Sequence, residues 1–174
     1  MKKLALVCSL IVFSQFSFAE ESKSFNIVYG AHGGGFGFGP GLSYAVNENI
    51  AIGIVSESAS MASGSVTAKS SGFGANARYY MEAALNGPYV SGYFIMGGAE
   101  GSSTTESVKM DATSIGATFG NTWMWDGFNL DAGIGMRSMS AGSVTATSGL
   151  DTSSLENSLS GMGLTLSFSA GYAF

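Results

Sequence analysis

His32, the only histidine of the 174-residue chain, is the side chain best suited to act as a general base. A hydrolytic site built on it would need a serine nucleophile and a carboxylate within hydrogen-bonding reach. Three glycines, Gly33, Gly34 and Gly35, follow the histidine directly. We therefore predict that His32 is a polar residue at the rim or in the interior of the fold, and that the protein is not an enzyme.

Metal and cofactor sites are not indicated either. One histidine and one cysteine, Cys8, make a zinc site improbable. The glycine-rich run 30–41 lacks the Gly-Lys-Ser/Thr ending of a phosphate-binding loop. Loop acids could bind calcium weakly, although solvated charges are the preferred interpretation; they are Glu100, Glu106, Asp111, Asp151 and Glu156. The prediction is no metal and no cofactor.

Five polar side chains fall on the inward face of the strands assigned below: Glu57, Asn76, Arg78, Asp131 and Arg137. Residue counts from the short turns place Arg78 and Asp131 at a similar low depth, and Glu57 and Arg137 higher. Buried charges are costly unless they are paired. We predict two ion pairs, Arg78–Asp131 and Glu57–Arg137, that plug the interior. A narrow polar pore lined by the same residues is the alternative.

The last eleven residues, 164–174, show the period of two that is typical of a β-strand. Leucine and aromatic side chains alternate with small or polar ones, and the sequence ends on an aromatic residue. A tilted strand of this length crosses the apolar core of a bilayer. The strand therefore predicts a sheet with one apolar face and one small, polar face.

Seven further segments carry strand patterns: 24–32, 36–46, 50–60, 72–81, 89–100, 114–125 and 128–139. In the second segment, Phe36 and Phe38 are predicted to point outward and the glycines between them inward. The fifth segment is apolar on both faces, so its register stays open. The predicted fold is all-β, an eight-stranded antiparallel up-and-down transmembrane β-barrel that spans residues 20–174.

The connections alternate in length. Residues 47–49, 82–88 and 126–127 are short, and Asp126-Gly127 is a strong two-residue hairpin signal. Residues 61–71, 101–113 and 140–160 are rich in Ser, Thr and Gly and are predicted to be long polar loops. Short turns at one end and long loops at the other fit a transmembrane barrel. Residues 61–68 also resemble residues 139–146, a repeat to which no function is assigned.

Aromatic residues collect near the short turns and the termini. Amphipathic rings sit well at a membrane interface, so these residues predict a girdle there. The girdle is assigned to Tyr44, Tyr79, Tyr89, Trp123, Trp125, Tyr172 and Phe174.

The N-terminus has the pattern of a cleaved signal peptide. A basic start is followed by an apolar run and by small residues at the cleavage position after Ala19. Loss of Lys2 and Lys3 from the seven basic residues leaves five against twelve acidic residues, a net charge of −7. No basic patch invites nucleic acid, and the mature chain holds no cysteine.

With its strands laid out, the mature chain resembles the small eight-stranded outer-membrane barrels of the OmpA-transmembrane and OmpX type. The final strand is similar to their C-terminal insertion signal, here Leu166, Phe168, Ala170, Tyr172 and Phe174. The resemblance implies the outer membrane of a Gram-negative bacterium, with both termini periplasmic. It implies contact with outer-membrane lipid and lipopolysaccharide, and with the barrel-assembly machinery during insertion.

Such barrels serve several functions, so the resemblance implies no single one. The leading prediction is a structural or surface-interaction role with an unknown surface ligand and a plugged lumen. The alternative is a narrow channel for ions or small solutes. A lipid-modifying enzyme is third, because Gly34 stands where the deacylase barrels have their serine. A soluble lipid-binding barrel is the alternative at the level of fold, disfavoured because the aromatic face is too large to be buried inward.

Overall fold

The computed structural model describes residues 24–103, 107–147 and 160–174. The predicted signal peptide, 1–19, lies outside these residues. Within them the chain forms eight strands: β1 (Phe25–Ala31), β2 (Gly39–Ala45), β3 (Ile50–Ser63), β4 (Val66–Tyr80), β5 (Gly87–Ser102), β6 (Ser107–Trp125), β7 (Phe128–Ala146) and β8 (Gly161–Ala173). No helix in the described residues is long and apolar enough to cross a membrane.

Each strand pairs antiparallel with its neighbours in the chain, and β8 pairs with β1, so the sheet closes into a barrel. Closure pairs the backbone groups that an open sheet would leave at its two edges. The predicted fold class is confirmed. We call the end that carries Ser24, Phe174 and the turn Asp126-Gly127 the terminal end, and the opposite end the distal end.

Side chains alternate along the strands as the period of two predicts. The outward face is apolar over most of the barrel height, with exposed residues such as Ile52, Phe73, Phe94, Ile115 and Leu166. The inward face is small or polar, with buried Ser43, Ser91, Thr118, Thr122 and Ser167. This arrangement is the reverse of a soluble barrel, because the apolar belt faces outward.

The Asp126-Gly127 turn forms as predicted. Both residues have positive φ, 49° and 86°, the combination that a type I′ hairpin requires. Trp125 pairs directly with Phe128 across it, and their rings lie 6.2 Å apart. The turn therefore sets the register of β6 against β7.

The strands are longer at the distal end than predicted. β3 and β4 pair up to Ser63 and Val66, so the predicted loop 61–71 is a hairpin with a two-residue turn. β5, β6 and β7 likewise extend into the predicted loops 101–113 and 140–160. Composition was misleading here, because a Ser- and Thr-rich strand still alternates with Ala, Val and Met and still pairs its backbone.

The second predicted strand begins three residues late. β2 starts at Gly39, and residues 32–37 fold into the lumen; we call them the infolded loop. Phe38 bridges to Ser58 of β3 and is 55% exposed on the outside, as predicted. Phe36, predicted to point outward, is only 3% exposed and packs in a lumen cluster with Val55, Tyr93 and Ile95. The cause is local: Gly33, Gly35 and Gly37 all have positive φ, which interrupts the strand.

The structure decides the register of β5. Tyr89, Tyr93 and Ile95 point inward and are buried, whereas Val90, Phe94 and Met96 are exposed on the outside. Tyr89 is fully buried, so its assignment to the aromatic girdle is wrong. Alternation alone could not decide which side chains of β5 face the lumen, because both faces of this strand are apolar.

Gly37 is expected to tolerate no side chain. Its φ is +131°, and an added Cβ would meet the backbone carbonyl of Ser58, which accepts a hydrogen bond from the Phe38 N–H at 3.0 Å. Gly37→Ala should therefore lower the free energy of unfolding by about 1–3 kcal/mol, measured by urea unfolding in detergent micelles.

Gly64→Ala is the matched control for Gly37→Ala. Gly64 also has positive φ, +60°, but nothing lies within 4 Å of the position of its Cβ. Only the backbone cost of about 1 kcal/mol remains there. Equal destabilisation by the two substitutions would contradict the contact with Ser58.

Candidate functional site

The lumen near the terminal end holds a compact charged cluster. Asp131 of β7 accepts three hydrogen bonds: from Arg78 Nη1 at 2.7 Å, from Tyr89 OH at 2.9 Å and from Thr122 Oγ1 at 2.9 Å. All four side chains are buried. We call these four residues the Asp131 cluster.

Arg78 is held from two sides in this cluster. Its guanidinium carbon lies 4.5 Å from the centroid of the Tyr89 ring, a distance at which a cation and an aromatic face attract. The salt bridge to Asp131 crosses from β4 to β7. The structure thus brings together Arg78 and Asp131, the pair that the sequence predicts closer to the short turns. Asn76, two residues before Arg78, is buried on the same inward face of β4.

Glu57 of β3 binds the backbone of the infolded loop. Its carboxylate accepts hydrogen bonds from the N–H groups of His32 at 2.7 Å, Gly34 at 3.3 Å and Phe36 at 3.0 Å. Glu57 is 1% exposed. A buried carboxylate is tolerable when such donors surround it, so the loop backbone supplies the compensation for this charge.

The carbonyl groups of the loop are bound from the remaining walls. The Gly33 carbonyl accepts from Tyr93 OH at 2.8 Å and from Thr165 Oγ1 at 2.7 Å. Arg137 Nη1 donates to the Gly34 carbonyl at 3.1 Å. Together with Glu57, side chains from β3, β5, β7 and β8 hold the loop across the lumen.

The predicted direct ion pair between Glu57 and Arg137 is not formed. Across the described ranges, the ion pairs with N···O distances of 4.0 Å or less are Arg78–Asp131 and the exposed pair Lys109–Glu100. Both Glu57 and Arg137 instead bind Gly34, one at its N–H and the other at its carbonyl. The loop intervenes because its peptide groups offer donors to the carboxylate and acceptors to the guanidinium.

His32 lies in the lumen at the start of the infolded loop and is buried. Its Nε2 is 2.9 Å from the Gly39 carbonyl, so in the tautomer that carries a proton on Nε2 this nitrogen donates to the backbone. In the described part of the chain, no group of three or more His, Cys, Asp or Glu side chains is placed to hold a metal ion. The contacts of His32 are those of a residue that anchors a loop.

Most of the proposed girdle residues do face outward near the terminal end. Tyr44, Tyr79, Trp125, Tyr172 and Phe174 are exposed, and Trp123 is half-buried. Phe25 joins them, with its ring 4.9 Å from Tyr44 and 6.0 Å from Phe174. On β8, Leu166 and Phe168 are also exposed and Ala170 is half-buried.

Sequence reasoning missed five lumen residues that bind the charged groups or the loop: Ser70, Tyr89, Tyr93, Thr122 and Thr165. The hydroxyl groups of tyrosine and threonine seek partners when they are buried, but no local pattern shows which group they reach. It also missed the infolded loop. The available signal was the glycine-rich run 30–41 itself.

Comparisons with known proteins support the fold. No family model matches the chain, and no curated protein matches it in sequence. Among solved structures, the chain is similar to a major outer membrane protein from Thermus thermophilus, with a TM-score of 0.55 and 14% identity. The likeness covers 88% of this chain and all of that one. At this identity the likeness is one of fold, a barrel shared with an outer membrane protein.

Proposed function

We propose that this protein is an outer-membrane β-barrel with a closed lumen and a structural or surface-interaction role. The observation that most directly supports this proposal is that the lumen is filled at two levels. The Asp131 cluster fills it near the terminal end, and the infolded loop fills it above that cluster. The outward belt of exposed apolar side chains supports a membrane location. The fold shared with the Thermus outer membrane protein supports the same membrane.

The proposed orientation has the terminal end in the periplasm and the distal end outside the cell. Aromatic side chains at the terminal end favour it. The exposed charged residues Lys69, Glu100 and Lys109 lie toward the distal end. The exposed aromatic residue Phe174 would then close the strand that the barrel-assembly machinery recognises, and the belt would contact outer-membrane lipid and lipopolysaccharide.

A narrow channel is the second candidate. Buried lumen atoms without a hydrogen-bond partner favour it, namely Arg78 Nε, Ser114 Oγ, Asn129 Oδ1 and Ser169 Oγ. Such atoms are places where water could enter. A continuous file of water would still have to pass the infolded loop, whose backbone is bound by Glu57 and Arg137.

Single-channel recording separates the two candidates. The refolded mature chain in a planar bilayer is expected to be silent, because both levels of the lumen are filled and bonded. Matched recordings of a lipid-only bilayer exclude leaks, and heat-modifiable migration on a gel checks that the barrel is folded. Steady openings of the folded wild-type protein would contradict the closed lumen and favour the channel.

A further inference from the structure

The barrel wall reverses its polarity toward the distal end. Along the apolar belt, the outward face is apolar and the lumen is polar. Farther up the same strands, the outward positions become polar, as in Ser58, Lys69, Ser71, Glu100 and Lys109. An outward face of this kind suits water. The change of the outward positions from apolar to polar therefore marks the height at which the outer surface of the barrel passes from apolar surroundings to water.

The inward positions at this height are mainly apolar and line the distal cup, a concavity with a volume of about 510 Å³. Its wall carries Ala59, Met61, Ala68, Val108, Met110 and Val144. Met61 is 75% exposed. Ser70 is a polar inward residue of the cup, and its hydroxyl is occupied by a bond to the Phe36 carbonyl at 2.7 Å. A water-facing wall that is polar outside and apolar inside has the pattern of a barrel that encloses an apolar molecule.

The floor of the distal cup is the apolar cluster beneath it. Met110 and Met139 pack against the buried residues Phe36, Val55 and Ile95, and Met110 also lines the cup. The cup is thus continuous with a packed apolar core that the infolded loop completes. A ligand in it would rest on apolar side chains and would have no route through the closed lumen.

We propose that the distal cup binds a small neutral molecule with an apolar, aliphatic body, an inference that rests on the proposed placement of the distal end in water. The volume lies within the range of about 300–1,000 Å³ that is usual for small-molecule sites. Methionine side chains adapt to ligands of different shape, so the cup recognises a chemical class rather than one structure.

The charges at the cup favour a neutral occupant. Its two charged lining residues, Lys69 and Glu100, occupy outward positions directly opposite each other on β4 and β5, so neither charge is directed into the cup. Glu100 also pairs with Lys109 at 3.5 Å. The inward lining residues carry no charge, so an anionic or cationic ligand would lose its hydration without gaining a counter-charge. A second copy of the chain fits poorly, because two concave cups are not complementary to each other.

Three residues of the internal repeat line the cup: Met61, Ala68 and Val144. Residues 61–68 and 139–146 share a Met, a Val and an Ala at matching positions: Met61, Val66 and Ala68, and Met139, Val144 and Ala146. By strand alternation and register, all six lie on the inward face. The repeat thus places the same apolar triplet on β3–β4 and on β7, where a shared ligand surface explains it.

The test follows the methionine methyl groups by NMR, with ¹³C-methyl methionine in the mature chain in lipid nanodiscs. Titration with 1-octanol is expected to shift the Met61, Met110 and Met139 signals to saturation. Met96 and Met136, exposed on the outward apolar belt, serve as internal references for partition into lipid. Linear, non-saturating shifts of all five signals would overturn the proposal.

Ala68→Asp places a charge in the cup and is expected to weaken the saturable binding at least tenfold. Thr67→Asp, on the outward face of the same strand, is the matched control and should leave it unchanged. Met61→Ser offers a second variant at an exposed position and should also weaken binding. If Ala68→Asp and Met61→Ser both bind octanol as tightly as the wild type does, the cup is not the binding site and the proposal is rejected. If the signals of the cup methionines shift with protein concentration in the absence of octanol, the cup binds a second copy of the chain, and the proposal is again rejected.

A doxyl-labelled lipid distinguishes failure of this inference from failure of the proposed function. The label should broaden the Met96 and Met136 signals and leave Met61 sharp. If it leaves the belt signals sharp, the membrane location itself is wrong. If the belt is broadened and octanol still shows no saturable binding, only the ligand site is wrong.

Discussion

Asp131→Ala is expected to lower the free energy of unfolding by about 3–5 kcal/mol, because it leaves the Arg78 guanidinium buried without a counter-charge. The carboxylate also accepts hydrogen bonds from Tyr89 and Thr122, and both hydroxyl groups would lose their acceptor. A loss of this size is a large share of the stability of a small domain. The expected observation is a urea midpoint far below that of the wild type in detergent micelles.

Asp111→Ala is the control for this prediction. Asp111 is also a strand carboxylate that accepts a hydrogen bond, from Ser143 Oγ at 3.1 Å, but it is exposed. Its replacement should change the unfolding free energy by about 0.5 kcal/mol or less. Similar midpoints for the two variants would mean that water reaches Arg78, and the Asp131 cluster would then not close the lumen.

The double variant Arg78→Met/Asp131→Leu separates the loss of a charge partner from the loss of volume. Removal of both charges leaves no uncompensated ion, and apolar replacements of buried ion pairs are often neutral or stabilising. We expect it to recover most of the stability that Asp131→Ala loses. A double variant as unstable as the single one would assign the loss to Tyr89 and Thr122 instead.

Glu57→Ala is expected to release the infolded loop and convert a silent barrel into a conducting one. Ordering the six residues 32–37 costs about 1–2 kcal/mol per residue. The three hydrogen bonds to the Glu57 carboxylate contribute about 1.5–3 kcal/mol each, which offsets most of that cost. Without them the remaining bonds from Tyr93, Thr165 and Arg137 are not expected to hold the loop in place.

The measurement is single-channel conductance of the folded variant beside the wild type. Glu100→Ala is the control, since Glu100 is exposed and its ion pair is the surface pair with Lys109; it should stay silent. Arg137→Ala removes one bond to the loop and should open less often than Glu57→Ala. A Glu57→Ala barrel that is folded and silent would show that the loop is not what closes the distal half of the lumen.

Local pattern was sufficient for the wall of the barrel. Alternation in β1, β4, β7 and β8 predicted which side chains face outward, because a strand in a closed sheet has only two faces and one of them was clearly apolar. The Asp126-Gly127 turn followed from backbone preference alone. The pair Arg78–Asp131 followed from depth counted along two strands, since antiparallel pairing preserves height.

The lumen could not be derived in the same way. Tyr89 lies in a strand that is apolar on both faces, and only the register with β4 and β6 turned it inward toward Arg78. The Glu57–Arg137 prediction assumed that charges on facing walls meet. It could not include a loop folded between them, because the glycine-rich run shows that the strand can be interrupted but not which groups its backbone will bind.

By itself, then, the sequence determined the all-β class, the number of strands, their outward faces and the Asp126-Gly127 turn, all of which depend on neighbours along the chain. The tertiary structure alone decided the infolding of residues 32–37, the partners of Glu57 and Arg137, and the reversal of polarity at the distal cup. The physical reason is that these features depend on contacts between groups far apart in sequence. Which polar group satisfies a buried charge is settled only when the barrel closes and brings its walls together.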